Sequence, residues 1–272
     1  MHMTYTVELQ QAAVGYGAKT VVRDISLKVR KGEVLALIGP NGGGKSTILK
    51  SIAGQIRVLG GRIAVAGKDP TKADPGEMAK VMAQVMTGRI HPEQMTGFDV
   101  AALGRYPHTG RMGLLSPEDR RITQEALALL EAEELSEVFF EEMSDGQKQR
   151  ILLARAICQE PEVLVLDEPT SYLDIRYKIL LTKLLRKLAR ERGMTILLSL
   201  HETEIVPYAA DRVLCVKGDV IFGEGTPEEL LTEEFIGKLY DLSPEDMEKS
   251  WISGMLLQRK APTAKESVEK PF

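Results

Sequence analysis

The chain has 272 residues, of which 43% are hydrophobic, and a formal net charge of −4. That length suits one full domain with a small subdomain, and the hydrophobic share is that of an ordinary globular protein. The acidic balance gives no electrostatic reason to expect a nucleic-acid partner, and no apolar run approaches the ~18 residues of a membrane-crossing helix.

Met1 to Gln10 is polar and lacks an apolar core, so no signal peptide is expected. Cys158 and Cys215 lie far apart in apolar surroundings, which predicts reduced, buried thiols in a cytosolic protein. Val7 to Val14 predicts a first strand ended by Gly15-Tyr16-Gly17. Ile25, Leu27 and Val29 alternate with Ser26, Lys28 and Arg30, the pattern of a half-buried antiparallel strand. Lys31-Gly32 turns into Glu33 to Ile38, a short apolar run of the buried-strand type.

Gly39-Pro40-Asn41-Gly42-Gly43-Gly44-Lys45-Ser46-Thr47 follows and fits G-x-x-x-x-G-K-[ST], the phosphate-binding loop. Glycines let the backbone wrap a phosphate with its amides pointing inward, and a following helix adds its positive N-terminal end. Ile48, Leu49, Ile52 and Ala53 supply that helix with an apolar face. Lys45 is placed for the β and γ phosphates and the Ser46 hydroxyl for Mg²⁺.

Arg62 to Ala66 predicts another strand between Gly60-Gly61 and Gly67, and Asp74-Pro75 a helix start. Val81 to Val85 reads as a short apolar strand carrying one polar residue, Gln84. Thr87 to Gly113 is rich in Gly, Pro and His. Ser116-Pro117-Glu118-Asp119 then opens a helix, and another begins at Ser144 and closes before Pro161. Residues 88–160 are therefore expected to form a helical insertion in an α/β core.

Val163 to Leu166 is a second apolar strand, ending in Asp167-Glu168. Adjacent side chains on a strand diverge, so the two carboxylates can hold different roles. Asp167 can support Mg²⁺, and Glu168 can polarise a water. Ile175 to Arg192 reads as a long amphipathic helix stopped by Gly193, and Thr195 to Leu200 as a buried strand ending at His201. Arg212 to Val216 and Val220 to Phe222 flank a hairpin signal, and Thr226 caps a last short helical region. Beyond about Gln258 the sequence is polar and non-periodic, which predicts a disordered tail. Ser144-Asp145-Gly146-Gln147 forms a second anion cradle, a serine cap at the positive end of a helix.

Taken together, these motifs resemble the nucleotide-binding subunit of an ATP-binding cassette (ABC) transporter. Gly39 to Thr47 resembles its Walker A, Met143 to Gln147 its signature, Val163 to Glu168 its Walker B and Ser171 to Asp174 its D-loop. Gln84 matches the Q-loop glutamine, His201 the switch histidine and Tyr16 the aromatic that stacks on adenine. The resemblance implies a P-loop NTPase fold: a mixed sheet, an antiparallel β-subdomain and an inserted helical subdomain, spanning residues 3–242 with an extension from 243 to 272. It implies ATP and Mg²⁺ as ligands, with Ser46, Gln84 and Asp167 toward the metal and Glu168, Lys45, His201 and Gln84 in catalysis. It also implies a head-to-tail pair in which Ser144, Asp145, Gly146 and Gln147 of one copy close on the other's loop, and Asp174 communicates across the pair.

Leu103 to Gly110 and Tyr172 to Tyr177 are similar to the ATPases of importers for ferric siderophores, haem and vitamin B12. Those work with integral membrane permeases and an extracytoplasmic binding protein, which places the subunit peripherally at the cytoplasmic face of the cell membrane. Other readings of the cassette are a soluble switch in cofactor assembly, a DNA-repair ATPase and a translation-associated ATPase. Repair ATPases need a long coiled-coil insertion, and no sustained heptads occur here. Translation ATPases carry two cassettes, and this chain carries one. A plain P-loop kinase lacks the second cradle at Ser144. The signature departs from Leu-Ser-Gly-Gly-Gln at Met143 and Asp145. A carboxylate at Asp145 repels a γ-phosphate, so Asp145→Gly should tighten ATP-dependent pairing. Weaker association in that variant would show the charge argument to be wrong.

Overall fold

The computed structural model describes residues 5–86, 92–110, 113–243 and 245–246. The tail after Gln258 and part of the Thr87–Gly113 stretch lie outside the described residues. β1 (Tyr5–Tyr16) and β2 (Lys19–Arg30) form a long antiparallel hairpin. β1 does not stop at Gly15 as expected. Gly15 pairs with Thr20, and a Cβ on it would lie 2.1 Å from the Lys19 carbonyl oxygen, so this glycine closes the hairpin tightly.

β3 (Val34–Ile38) is buried along its whole length and leads through the glycine loop into α1 (Lys45–Ile52). β4 (Gly60–Val65) returns to β1, completing a three-stranded sheet in the order β2-β1-β4. α2 (Pro75–Val81), capped by Asp74, runs without a turn into β5 (Met82–Val85). The helical insertion follows: α3 (Gly97–Ala102), a 3₁₀ turn at Leu103–Arg105, α4 (Pro117–Leu129) and α5 (Asp145–Cys158).

The chain then re-enters the core through β6 (Val163–Leu166), α6 (Ile175–Arg192) and β7 (Thr195–Ser199). α6 begins at an Asp174 cap and ends at Gly193, whose φ of +65° is the left-handed stop that glycine accepts without cost. After α7 (Val206–Ala209), β8 (Arg212–Lys217) and β9 (Val220–Gly225) make the expected hairpin. The last helical region is two helices, α8 (Pro227–Leu230) and α9 (Glu233–Tyr240), because Thr232 supplies a second cap.

The central sheet has the order β5-β6-β7-β3-β8-β9, parallel except for the final β8–β9 pair. Helices and the small sheet cover its two faces, which is why β3, β6 and β7 are continuous apolar runs and do not alternate. Ala36 and Ile38 face one apolar cluster with Ile151, Leu185 and Leu188. Leu35 and Leu37 face the other with Ile48, Leu49, Val7 and Ile25. Cys158 and Cys215 are free and buried, and burial pushes the Cys215 thiol up to about 12.

Arg105, the start of a stretch whose composition reads as a surface loop, is only 5% exposed. Its Nε donates to Asp119 Oδ1 at 2.9 Å, and its Nη1 donates to the Cys158 carbonyl and to Glu160 Oε2. It knots the 3₁₀ turn to α4 and to the end of α5. The Ser116 hydroxyl, 2.6 Å away, and the Arg105 guanidinium bring the Asp119 carboxyl down to about 2, against the upward push of burial. The fold thus favours the ionised form. Its stabilisation is complete above the ordinary value of 3.8 and is lost as pH falls toward about 2. Asp119→Asn should lose about 1–3 kcal/mol in urea unfolding near neutral pH. The gap to wild type should narrow as the acid range is entered, and a gap independent of pH would exclude the ionised carboxyl as its source.

Candidate functional site

In a parallel sheet the carboxyl ends of neighbouring strands open onto one edge, where ligands bind in α/β folds. Here β3, β7 and β6 are adjacent and end in the glycine loop, in Ser199 with His201 beyond it, and in Asp167-Glu168.

The loop's path depends on glycine at its two ends. Gly39 has φ +140°, and a Cβ on it would lie 2.0 Å from the Val216 carbonyl oxygen. Gly44 has φ +98° and caps α1, and a Cβ there would meet Val22 Cγ2 at 2.3 Å. Between them the chain passes through Pro40, Asn41, Gly42 and Gly43, with open space where a Gly42 side chain would stand. Lys45, the first residue of α1, is 5% exposed. Its Nζ donates to the carbonyls of Gly39 at 2.8 Å and Pro40 at 3.0 Å. Burial lowers the Lys45 pKa, while Glu168 and Asp167 act in the opposite direction. Thr47 is buried beside it in α1.

Asp167 is 2% exposed. Its Oδ1 accepts from the Ser46 hydroxyl at 2.9 Å and from the Ser199 hydroxyl at 2.7 Å. Glu168 has a left-handed backbone, φ +51°, an uncommon and strained conformation for a non-glycine residue. Its carboxylate Oε1 lies 2.6 Å from His201 Nε2, and its Oε2 accepts from the Ser171 hydroxyl at 3.4 Å. The two adjacent carboxylates therefore have different partners, one toward α1 and one toward His201.

Ser199 escaped the sequence reading. It accepts from the Glu168 amide at 2.8 Å while donating to Asp167, so one buried hydroxyl sets both acidic residues. A hydroxyl at the end of an apolar strand, two residues before a histidine, was the available signal. Glu202 also went unread. It accepts from the Thr170 hydroxyl at 2.9 Å and from Lys178 Nζ at 2.7 Å, tying the segment after His201 to the start of α6.

Other expected residues stand apart from this cluster. Gln84 is exposed, and its Oε1 accepts from Gln55 Nε2 at 3.0 Å. Tyr16 is 50% exposed at the hairpin end. Ser144 caps α5 in a capping box closed by Gln147, which leaves the Asp145 and Gly146 amides as the helix's first turn. A Cβ on Gly146 would lie 2.8 Å from the Tyr172 carbonyl oxygen, so α5 begins against the segment before Asp174. Asp174 accepts from the Tyr177 amide at 3.0 Å as the cap of α6.

The donor set fits a magnesium–nucleotide. Ser46 and Asp167, which meet at 2.9 Å, offer hard oxygens, whereas the Gln84 side chain is turned to Gln55. Among the described residues no cluster of three or more His, Cys, Asp or Glu could hold a metal alone. The glycine loop and the first turn of α1 supply the anion-binding amides.

A family model described as ABC transporter matches residues 22–171. An ABC transporter ATP-binding protein of Methanocaldococcus jannaschii is 45% identical over 87% of this chain and 81% of its own length. The iron(3+)-hydroxamate import ATP-binding protein of Bacillus subtilis is 34% identical over 88% of this chain and 89% of its own. Among solved structures, one described as an inward-facing metal-chelate type ABC transporter superposes with a TM-score of 0.74 at 28% identity, covering 87% of this chain and 89% of that one.

Proposed function

The chain belongs to the ABC transporter ATP-binding family and is an ATP hydrolase, and on that premise we propose that it powers import of a chelated iron complex through a separate membrane permease. The observation that carries the reading is the single cluster in which Ser46 meets Asp167, and Glu168 meets His201, at the carboxyl edge of the parallel sheet. What supports an iron-chelate cargo is the hydroxamate import named for the Bacillus subtilis relative. No helix among the described residues is long and apolar enough to cross a membrane, so transport needs a partner that does. The subunit works at the cytoplasmic face, and an extracytoplasmic binding protein delivers the cargo to the permease.

In this reading the Gly39–Thr47 amides and Lys45 bind the β and γ phosphates, and Tyr16 stacks on the adenine. Ser46, Gln84 and Asp167 hold Mg²⁺, which when bound neutralises charge on the phosphate oxygens. Glu168 takes a proton from the attacking water as the nucleophile is oriented. His201 leaves Glu168 to hydrogen-bond the γ-phosphate. Ser144 and the Gly146 amide of a second copy complete the site, and Asp174 lies at that junction. ATP contacts made only in the closed pair shift the open–closed equilibrium, and this is the work delivered to the permease.

Pairing is tested by kinetics. The ATPase rate should rise faster than linearly with protein concentration in the dilute range, and strict proportionality down to full dissociation would sink the paired site. Cargo is tested by uptake of labelled ferric hydroxamate, haem and cobalamin in a deletion strain. Loss of the hydroxamate alone is the expected result. Loss of haem or cobalamin uptake in its place reassigns the cargo, and no loss at all removes the import role.

A further inference from the structure

β5 is a four-residue strand on the edge of the six-stranded sheet, paired to β6. It begins abruptly. α2 ends at Val81, and Met82 is already extended at φ −133° and ψ 129°. A helix ended this way leaves carbonyls of its last turn in need of donors. The Met82 amide serves the Met78 carbonyl and the Glu162 amide the Val81 carbonyl, and Gln159, the cap residue of α5, reaches the junction from far along the chain. Its side-chain Nε2 donates to the Ala79 carbonyl and, at 2.8 Å, to the Met82 carbonyl. Its own carbonyl accepts from His108 Nε2 at 2.9 Å. The neighbouring Cys158 carbonyl accepts from Arg105. Residues 158–160 thus join the end of α5, the α2–β5 junction and the turn that follows α3.

We propose that Gln159 is a positioning residue for Gln84. The side-chain amide fixes the point at which β5 starts along β6, and Gln84 is the third residue of that strand. It also ties this point to α5, whose opposite end carries Ser144. The 14 residues of α5 span about 20 Å at ~1.5 Å per residue. A helix anchored at both ends carries a displacement at Ser144 to the strand that presents Gln84. The proposal rests on the reading of Gln84 as a ligand of the magnesium–nucleotide.

Both receiving groups are carbonyls, so position 159 must donate. Gln159→Met keeps length and removes the donor. Gln159→Glu keeps shape and replaces the donor by an acceptor. Gln159→Lys restores donors on a longer stem. The test uses the full chain and two readouts: affinity for a fluorescent ATP analogue with Mg²⁺ and with chelator, and amide hydrogen exchange at residues 82–85.

In Gln159→Met and Gln159→Glu, exchange at these amides should rise about tenfold, and the gain in affinity from Mg²⁺ should shrink about tenfold. Affinity in chelator should stay unchanged, and Gln159→Lys should restore both readouts. Gln84→Ala should show the same loss of Mg²⁺ dependence, and adding Gln159→Met to it should cause no further loss. A wild-type Gln159→Met beside a defective Gln84→Ala overturns the proposal and leaves the reading of Gln84 standing. A wild-type Gln84→Ala overturns both. Additive losses in the double variant overturn the route through Gln84. If the Met and Glu variants do not fold, Gln159→Asn serves in their place, because its shorter amide reaches fewer acceptors. It should show intermediate changes, and wild-type behaviour in it overturns the proposal.

Discussion

Glu168→Gln should lower ATP turnover by about 10²–10⁴-fold while leaving ATP binding intact. The amide keeps the shape of the carboxylate and can still accept from His201 Nε2, now 2.6 Å from Glu168 Oε1. It cannot take a proton from water. In the proposed reading the phosphates are held by the glycine loop and Lys45, which the substitution leaves in place. Binding then proceeds to the closed pair and stops there, so a dimer should accumulate with ATP and be visible by light scattering. Phosphate release within a few-fold of wild type would remove Glu168 from its role. A large loss of ATP affinity would mean that the residue shapes the loop instead.

Lys45→Ala should cost nucleotide affinity about 30-fold or more, the range for truncating one partner of a buried charge pair. The ammonium is buried and already desolvated, and the Gly39 and Pro40 carbonyls hold it in place. The substitution leaves those two carbonyls without their donor and removes the positive charge proposed to meet the phosphates. Lys45→Arg should not rescue, because a planar fork cannot occupy a pocket built for a compact ammonium. Titration calorimetry with ATP decides the matter, and retained tight binding by Lys45→Ala would count against the phosphate-loop assignment.

Much of the architecture was legible because its causes are local. The apolar run before Gly39, the caps at Asp74, Ser116 and Ser144, and the Gly193 stop each act within a few residues of where they sit. The elements hidden from sequence depend on distant partners. Ser199 is one hydroxyl in an apolar strand, and its importance comes from Asp167 and Glu168 on the adjacent strand. Arg105 reads as a surface cation until Asp119, Glu160 and the Cys158 carbonyl surround it. Gln159 looks like a helix end, and the carbonyls it serves lie about 80 residues earlier. Gly15 has the look of a strand stop in sequence, yet β1 runs through it, because a close approach to the Lys19 carbonyl requires glycine there. No relation of Ser144 to the loop is visible within one chain. Within this chain its bonds close on its own helix cap.

The left-handed backbone at Glu168 sets two kinds of selection against each other. Glycine adopts that conformation without the penalty of about 1–2 kcal/mol that a side chain incurs. A library screened for heat tolerance alone would therefore drift toward glycine at this position and return sturdy, inert proteins. One screened for phosphate release would keep the carboxylate and accept the lower melting point. Efforts to harden this subunit should hold position 168 constant and seek stability elsewhere in the chain.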